Sequence, residues 1–206
     1  MSAQNSKIDA VKMMLLVGGF AAIYFVASGA DLWTTALALH RPDASEGNVF
    51  ATTSGAYNSA RAWWITNAAA VLVIGLFVQG AAYAGRVSPY WLDRPMRSYF
   101  YRYFNPLFID TWSQRSRDRA PIHAVSFALA FVVLRFLAAG NNLMIAAGYA
   151  GPLGLAVRAV GRLTTPGTGL LLAMGALYIA LAIGVSPVSA ILLKSLRTER
   201  DRQASA

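Results

Sequence analysis

Two ionisable side chains sit inside long apolar runs, Asp31 in "ASGADLWTTALAL" and Arg135 in "FVVLRFLAAGNNLMI". A charge near a bilayer centre costs at least about 2.5–3.5 kcal/mol on insertion scales, so each must find a partner or a wet cavity. Carboxylate and guanidinium can neutralise one another and cross-link two helices. The same groups can also bind a proton, an ion, a lipid headgroup or a small ligand. Tyr24, Ser28, Asp31 and Thr35 are spaced to share one helical face, and Asn142 falls on the face of Arg135. At 1.5 Å per residue Asp31 lies about 24 Å beyond Leu15, and Arg135 about 20 Å beyond Ile122. Both depths fall in the same half of a bilayer, and Asn67 enters the second apolar run at a similar level. The expectation is a polar cluster of Asp31, Thr35, Asn67, Arg135 and Asn142.

The elements that must hold these residues are long. Four runs have the roughly 20 apolar residues that a spanning helix needs: about 13–39, 63–84, 122–149 and 168–193. The runs are continuous and not ten-residue alternating strands, so helices are expected in place of a barrel. The fold class is therefore all-α, a polytopic membrane protein with four transmembrane helices in one domain. Composition agrees, since 56% of the 206 residues are hydrophobic and only 13% charged. The start, "MSAQNSKIDAVKMMLLVGGFAAIYF", could be a cleaved leader. Its apolar run continues to Leu39, beyond the usual 7–15 residue leader core, which favours a retained helix.

The net charge of +9 is distributed unevenly. Thirteen basic residues fall in the N-terminal tail (Lys7, Lys12), the 85–121 loop (Arg86, Arg94, Arg97, Arg102, Arg115, Arg117, Arg119) and the 194–206 tail (Lys194, Arg197, Arg200, Arg202). Four, Arg41, Arg61, Arg158 and Arg162, fall on the other side. The positive-inside rule then puts both termini in the cytoplasm of a bacterial inner membrane. No continuous basic stripe or reader motif is present, which argues against nucleic acid as a partner.

The 85–121 loop interleaves Arg with aromatic residues, and 95–104 could form a short interfacial helix. Tyr90, Trp91, Arg97, Tyr99, Tyr101, Arg102, Tyr103 and Trp112 are its candidate contacts. Aromatic rings suit the headgroup zone and arginines suit lipid phosphates, so a lipid belt is the first reading. A protein docking surface is the second.

The stretches "DLWTTALAL", "EGN" and "RFLAAGNN" resemble a family of small four-helix prokaryotic membrane proteins known only as a domain of unknown function. The resemblance carries Asp31, Thr34, Thr35, Glu46 and Asn48, with Arg135 and Asn142, and implies no activity. Val49 stands where the family pattern has Pro, and the long aromatic loop is not part of that pattern.

Catalytic motifs are missing. There is no phosphate loop, dinucleotide fingerprint, His-Glu-x-x-His pair or Gly-x-Ser-x-Gly elbow. The chain has no Cys, which removes disulfides and thiolate metal sites. His40 and His123, expected at opposite membrane faces, cannot share one metal, though a pigment on one of them stays open. No cofactor is expected, with lipid as the open case. The leading expectation is a non-enzymatic accessory or assembly subunit of a larger inner-membrane complex. A small transporter or ion-handling protein using Asp31 and Arg135 is the alternative. A lipid-modifying enzyme using Asp31 and Glu46 is weaker, because acid–base work needs both groups on one substrate.

Overall fold

The computed structural model describes residues 10–42, 52–53, 56–104, 117–161 and 166–205. Among these, seven α-helices carry the chain: α1 (Ala10–Ala38), α2 (Ser59–Ala82), α3 (Pro89–Asp93), α4 (Pro95–Phe104), α5 (Ala120–Ala146), α6 (Pro152–Gly161) and α7 (Pro166–Ser205). Two very short strands, β1 (Thr52–Thr53) and β2 (Ala56–Tyr57), pair antiparallel before α2. The fold is all-α, and α1, α2, α5 and α7 are long and apolar enough to cross a membrane. The 29 residues of α1 reach about 43 Å against a hydrocarbon core of roughly 30 Å.

The helix ends follow backbone chemistry more than hydropathy. α2 begins at Ser59, ahead of the apolar run expected from residue 63, because Asn58 accepts the Arg61 backbone N–H through Oδ1 at 2.9 Å. That is an N-cap, which satisfies one of the first turn's unpaired donors. α1 ends in tightening turns before Pro42, whose ring cannot continue a helix. α5 closes with the Tyr149 N–H on the Met144 carbonyl and the Gly148 N–H on that of Ile145, both 2.9 Å. Gly148 takes φ +91°, completing a Schellman stop that residues with a Cβ resist. Residues 150–161, expected as outer loop, contain α6, which starts on Pro152, a residue suited to the first helical position.

α7 corrects one further expectation. Residues 194–206, expected as a tail, continue the helix to Ser205, and Pro187 sits inside it. Proline supplies no N–H to the carbonyl one turn back, that of Ile183. Ser186 Oγ donates to that carbonyl at 2.7 Å, so the repair comes from the same helix and not from a neighbour. Forty residues reach about 60 Å, so the basic last turns of α7 must extend past the hydrocarbon.

The chain divides into two compact units, each taking one segment from each of the four long helices. The first comprises 1–20, 73–130 and 181–206. Its core stacks Phe20 on Phe77 with centroids 4.0 Å apart and buries Ile122, Val125 and Leu193 completely. Gly80 brings α2 against α5 so closely that a Cβ there would meet Val125 and the Pro121 carbonyl. Small residues at such crossings let helix backbones approach, the usual solution in a membrane. Ser126 donates to Ser189 at 2.9 Å in the same buried layer. The second unit comprises 21–72 and 131–180. Tyr24, fully buried, donates to the Thr66 carbonyl at 2.8 Å and lies against Phe131. Outside these cores Val26, Trp33, Val71 and Leu72 are exposed, the surface expected where lipid replaces water.

Candidate functional site

The second unit holds the intramembrane charges. Arg135 of α5 places Nη1 2.6 Å from Asp31 Oδ2 of α1. The other carboxylate oxygen, Oδ1, accepts from Asn142 Nδ2 at 3.3 Å, and the same amide donates to Thr35 Oγ1 at 2.8 Å. Asp31 and Thr35 are four residues apart on α1, as Arg135 and Asn142 are seven apart on α5, so two polar stripes face each other. The guanidinium also lies 5.1 Å from the Phe131 ring centroid, one turn earlier on its own helix. Thr34 is nearly fully buried and returns its hydroxyl to the Ala30 and Asp31 carbonyls at 2.8 and 3.1 Å.

Asn67 is not brought into this group by the contacts described. Its Nδ2 donates to the Trp63 carbonyl at 2.8 Å, one turn back on α2, because the side chain can reach its own helix more easily than a neighbouring one. Glu46 and Asn48 lie outside the described residues. Asn141, which sequence reasoning passes over in favour of Asn142, is buried and accepts the Leu153 backbone N–H at 3.0 Å through Oδ1. It thus caps α6 from the side of α5. The signal for it is the adjacent pair Asn141-Asn142, whose members point about 100° apart on a helix and must serve different partners.

Chemically, the cluster is close to saturated. Each oxygen of Asp31 has a donor, the pair carries no net charge, and the side chains keep only 12% and 18% exposure for Asp31 and Arg135. Two buried polar atoms of this unit, Ser28 Oγ and Arg135 Nε, lack a hydrogen-bond partner. Among the described residues no three His, Cys, Asp or Glu gather as a metal-binding group.

The aromatic and basic residues of 85–121 fall in the first unit and separate into two populations. Trp91 and Tyr99 are buried, at 8% and 0% exposure, and so do not face lipid or partner. Tyr99 packs edge-on to His123 at 4.3 Å, and Trp91 lies 5.0 Å from the Arg119 guanidinium, itself buried. Arg119 does not stand out in the sequence, because a buried Arg is rare unless aromatic rings and hydrogen bonds receive it. Tyr90, Tyr101 and Arg97 are exposed. Arg102 and Tyr103 belong to α4, and Trp112 lies outside the described residues. His40 closes α1 by donating Nδ1–H to the Ala36 carbonyl at 2.8 Å.

The chain matches no protein-family model, no curated protein and no solved structure. Fold and site together define a class, an all-α membrane protein with four helices long and apolar enough to span and an internally neutralised charge pair between two of them.

Proposed function

We propose that this chain is a non-enzymatic accessory or assembly subunit of a larger complex in a bacterial inner membrane, with both termini cytoplasmic. The observation that carries the reading is how Asp31 and Arg135 spend their charges. The one acidic side chain within the four apolar runs has both oxygens engaged, by Arg135 and Asn142. A neutral pair with both carboxylate oxygens engaged fixes helix register at modest net energy and leaves no free carboxylate oxygen to act as a base. Large aromatic side chains on the outer helix faces, Trp33, Trp63 and Trp64, suit contact with lipid or with neighbouring subunits. The orientation is supported by charge: the first unit carries Lys12, Arg86, Arg94, Arg97, Lys194, Arg197, Arg200 and Arg202 near its helix ends.

The test is gentle solubilisation of the native membrane followed by native electrophoresis of a tagged copy. Migration in a heteromeric particle of fixed stoichiometry is expected. A monomer or homodimer with no stoichiometric companion contradicts the reading.

A second reading, an ion-handling protein, is favoured by the two buried unpartnered atoms, Ser28 Oγ and Arg135 Nε, which have capacity for a polar guest. It requires that Asp31→Asn abolish proton flux into proteoliposomes containing the purified protein, and unchanged flux excludes it.

A further inference from the structure

We infer that α3 and α4 form a seat for the headgroup of an acidic phospholipid, with Arg94 and Arg97 receiving the phosphodiester. The inference rests on the membrane character of the fold and not on the chain's being a subunit of a complex.

The fully buried Tyr99 of α4 packs against His123 at 4.3 Å and Phe127 at 6.3 Å, both on the opening turns of the spanning helix α5. Phe127 is seven residues into α5, about 10 Å along its axis. The headgroup layer occupies roughly 5–8 Å on each side of the hydrocarbon. Tyr99 therefore pins α4 within or next to that layer, where water, phosphate and acyl chain meet.

The outward surface of α4 has two characters. Ser98 and Tyr99 are buried, whereas Met96 and Phe100 are 47% and 56% exposed. Met96 and Phe100 are four residues apart and share one flank of the helix, and Arg97 and Tyr101 share the next. The exposed surface is thus apolar on one flank and cationic on the other, the division that holds a helix in the interface plane. A soluble loop would gain nothing from presenting Met96 and Phe100 to water. At the headgroup boundary their burial among acyl chains is favourable.

Arg94 and Arg97 are exposed, and their guanidinium carbons lie 5.2 and 5.9 Å from the ring centroids of Tyr90 and Tyr101. The rings restrain the long side chains without consuming their N–H donors, which reduces the entropy lost when an anion is bound. The nearby carboxylate, Asp93, faces Lys194 at 3.4 Å, so it is directed to another cation. A phosphodiester carries the negative charge and the paired acceptor oxygens that guanidinium forks match, and its acyl chains can cover the exposed apolar surface of Met96 and Phe100. A free phosphate meets only the first requirement.

The experiment uses the full chain in phosphatidylcholine nanodiscs containing a minority of phosphatidylglycerol, with the lipids that remain bound after detergent release counted by native mass spectrometry. The wild type should retain phosphatidylglycerol in preference to phosphatidylcholine. In Arg94→Gln/Arg97→Gln that preference should fall by about fivefold for each arginine, roughly twenty-five-fold for both. Arg200→Gln/Arg202→Gln removes the same charge from α7, leaves the Lys194–Asp93 pair in place, and should leave the preference nearly unchanged. Glycerol phosphate, a headgroup without acyl chains, should not compete. Four results would overturn the inference: no preference in the wild type, an unchanged preference in the arginine variant, equal losses in both variants, or competition by glycerol phosphate. Recovery from native membranes of a stoichiometric protein, lost in the arginine variant, would also overturn it and make the face a protein-docking surface.

Discussion

Replacing Asp31 by Asn keeps the side chain's size and strips Arg135 of its counter-charge. At 2.6 Å and an effective dielectric of about 20, the attraction between the two groups is about 6 kcal/mol. Most of that offsets desolvation, and the measured penalty for removing one member of a buried pair is about 3–5 kcal/mol. Asp31→Asn is expected to cost that much, and Arg135→Met a similar amount. The double variant Asp31→Asn/Arg135→Met leaves no buried charge, and the amide that replaces the Asp31 carboxylate can still accept from Asn142, so it should fall within about 1 kcal/mol of wild type. The singles then sum to about 6 kcal/mol or more, so the coupling in this cycle is about 5 kcal/mol or more, above the usual range for neighbouring residues. The assay is reversible unfolding in mixed micelles followed by near-ultraviolet circular dichroism, with free energies compared at constant denaturant slope. Additive losses, with the double variant as unstable as the sum of the singles, would refute the reasoning.

Other contacts set smaller effects. Gly148→Ala must place a Cβ at φ +91°, close to Arg41, and should cost about 1–2 kcal/mol in the same unfolding assay. Asn141→Ala removes the acceptor that caps α6 and should cost about 1 kcal/mol, with faster amide exchange confined to residues near Leu153. Ser186→Ala leaves the Ile183 carbonyl beside Pro187 without its hydroxyl donor, costing roughly 1–3 kcal/mol. Because the chain has no native Cys, Ser205→Cys and Ser59→Cys report orientation directly. Ser59→Cys should react with an impermeant maleimide on intact spheroplasts, and Ser205→Cys only after permeabilisation; the reverse pattern would invert the topology.

Much of this was legible in the sequence because a bilayer makes few demands and enforces them strongly. Length and apolarity located four helices to within a few residues at most ends, and the costs of Asp31 and Arg135 in lipid pointed each toward a partner. Thr35 and Asn142 followed from helical periodicity. Asn67 did not, since depth alone cannot say whether an amide will turn to its own helix. The helix ends were misjudged where capping overrides hydropathy: Asn58 starts α2 before its apolar run, and Pro152 and Asn141 organise α6 between the apolar runs 122–149 and 168–193. α7 outruns its apolar segment because basic residues are good helix formers and Lys12 and Glu199 pair at 2.5 Å in the first unit. In α3 and α4 the exposed and buried aromatic residues carry similar letters, so only the contacts of Trp91 and Tyr99 distinguish the inward face from the outward one.

Under the proposed function, Asp31 and Arg135 are assigned to holding a subunit together and not to performing its work. That assignment is decided by the mass of the particle that carries Asp31→Asn/Arg135→Met in gently solubilised native membrane. A heteromeric particle of the same mass and stoichiometry as that of the wild type is predicted. A folded double variant that leaves the particle, or a wild type found only as one or two copies of this chain, would contradict it.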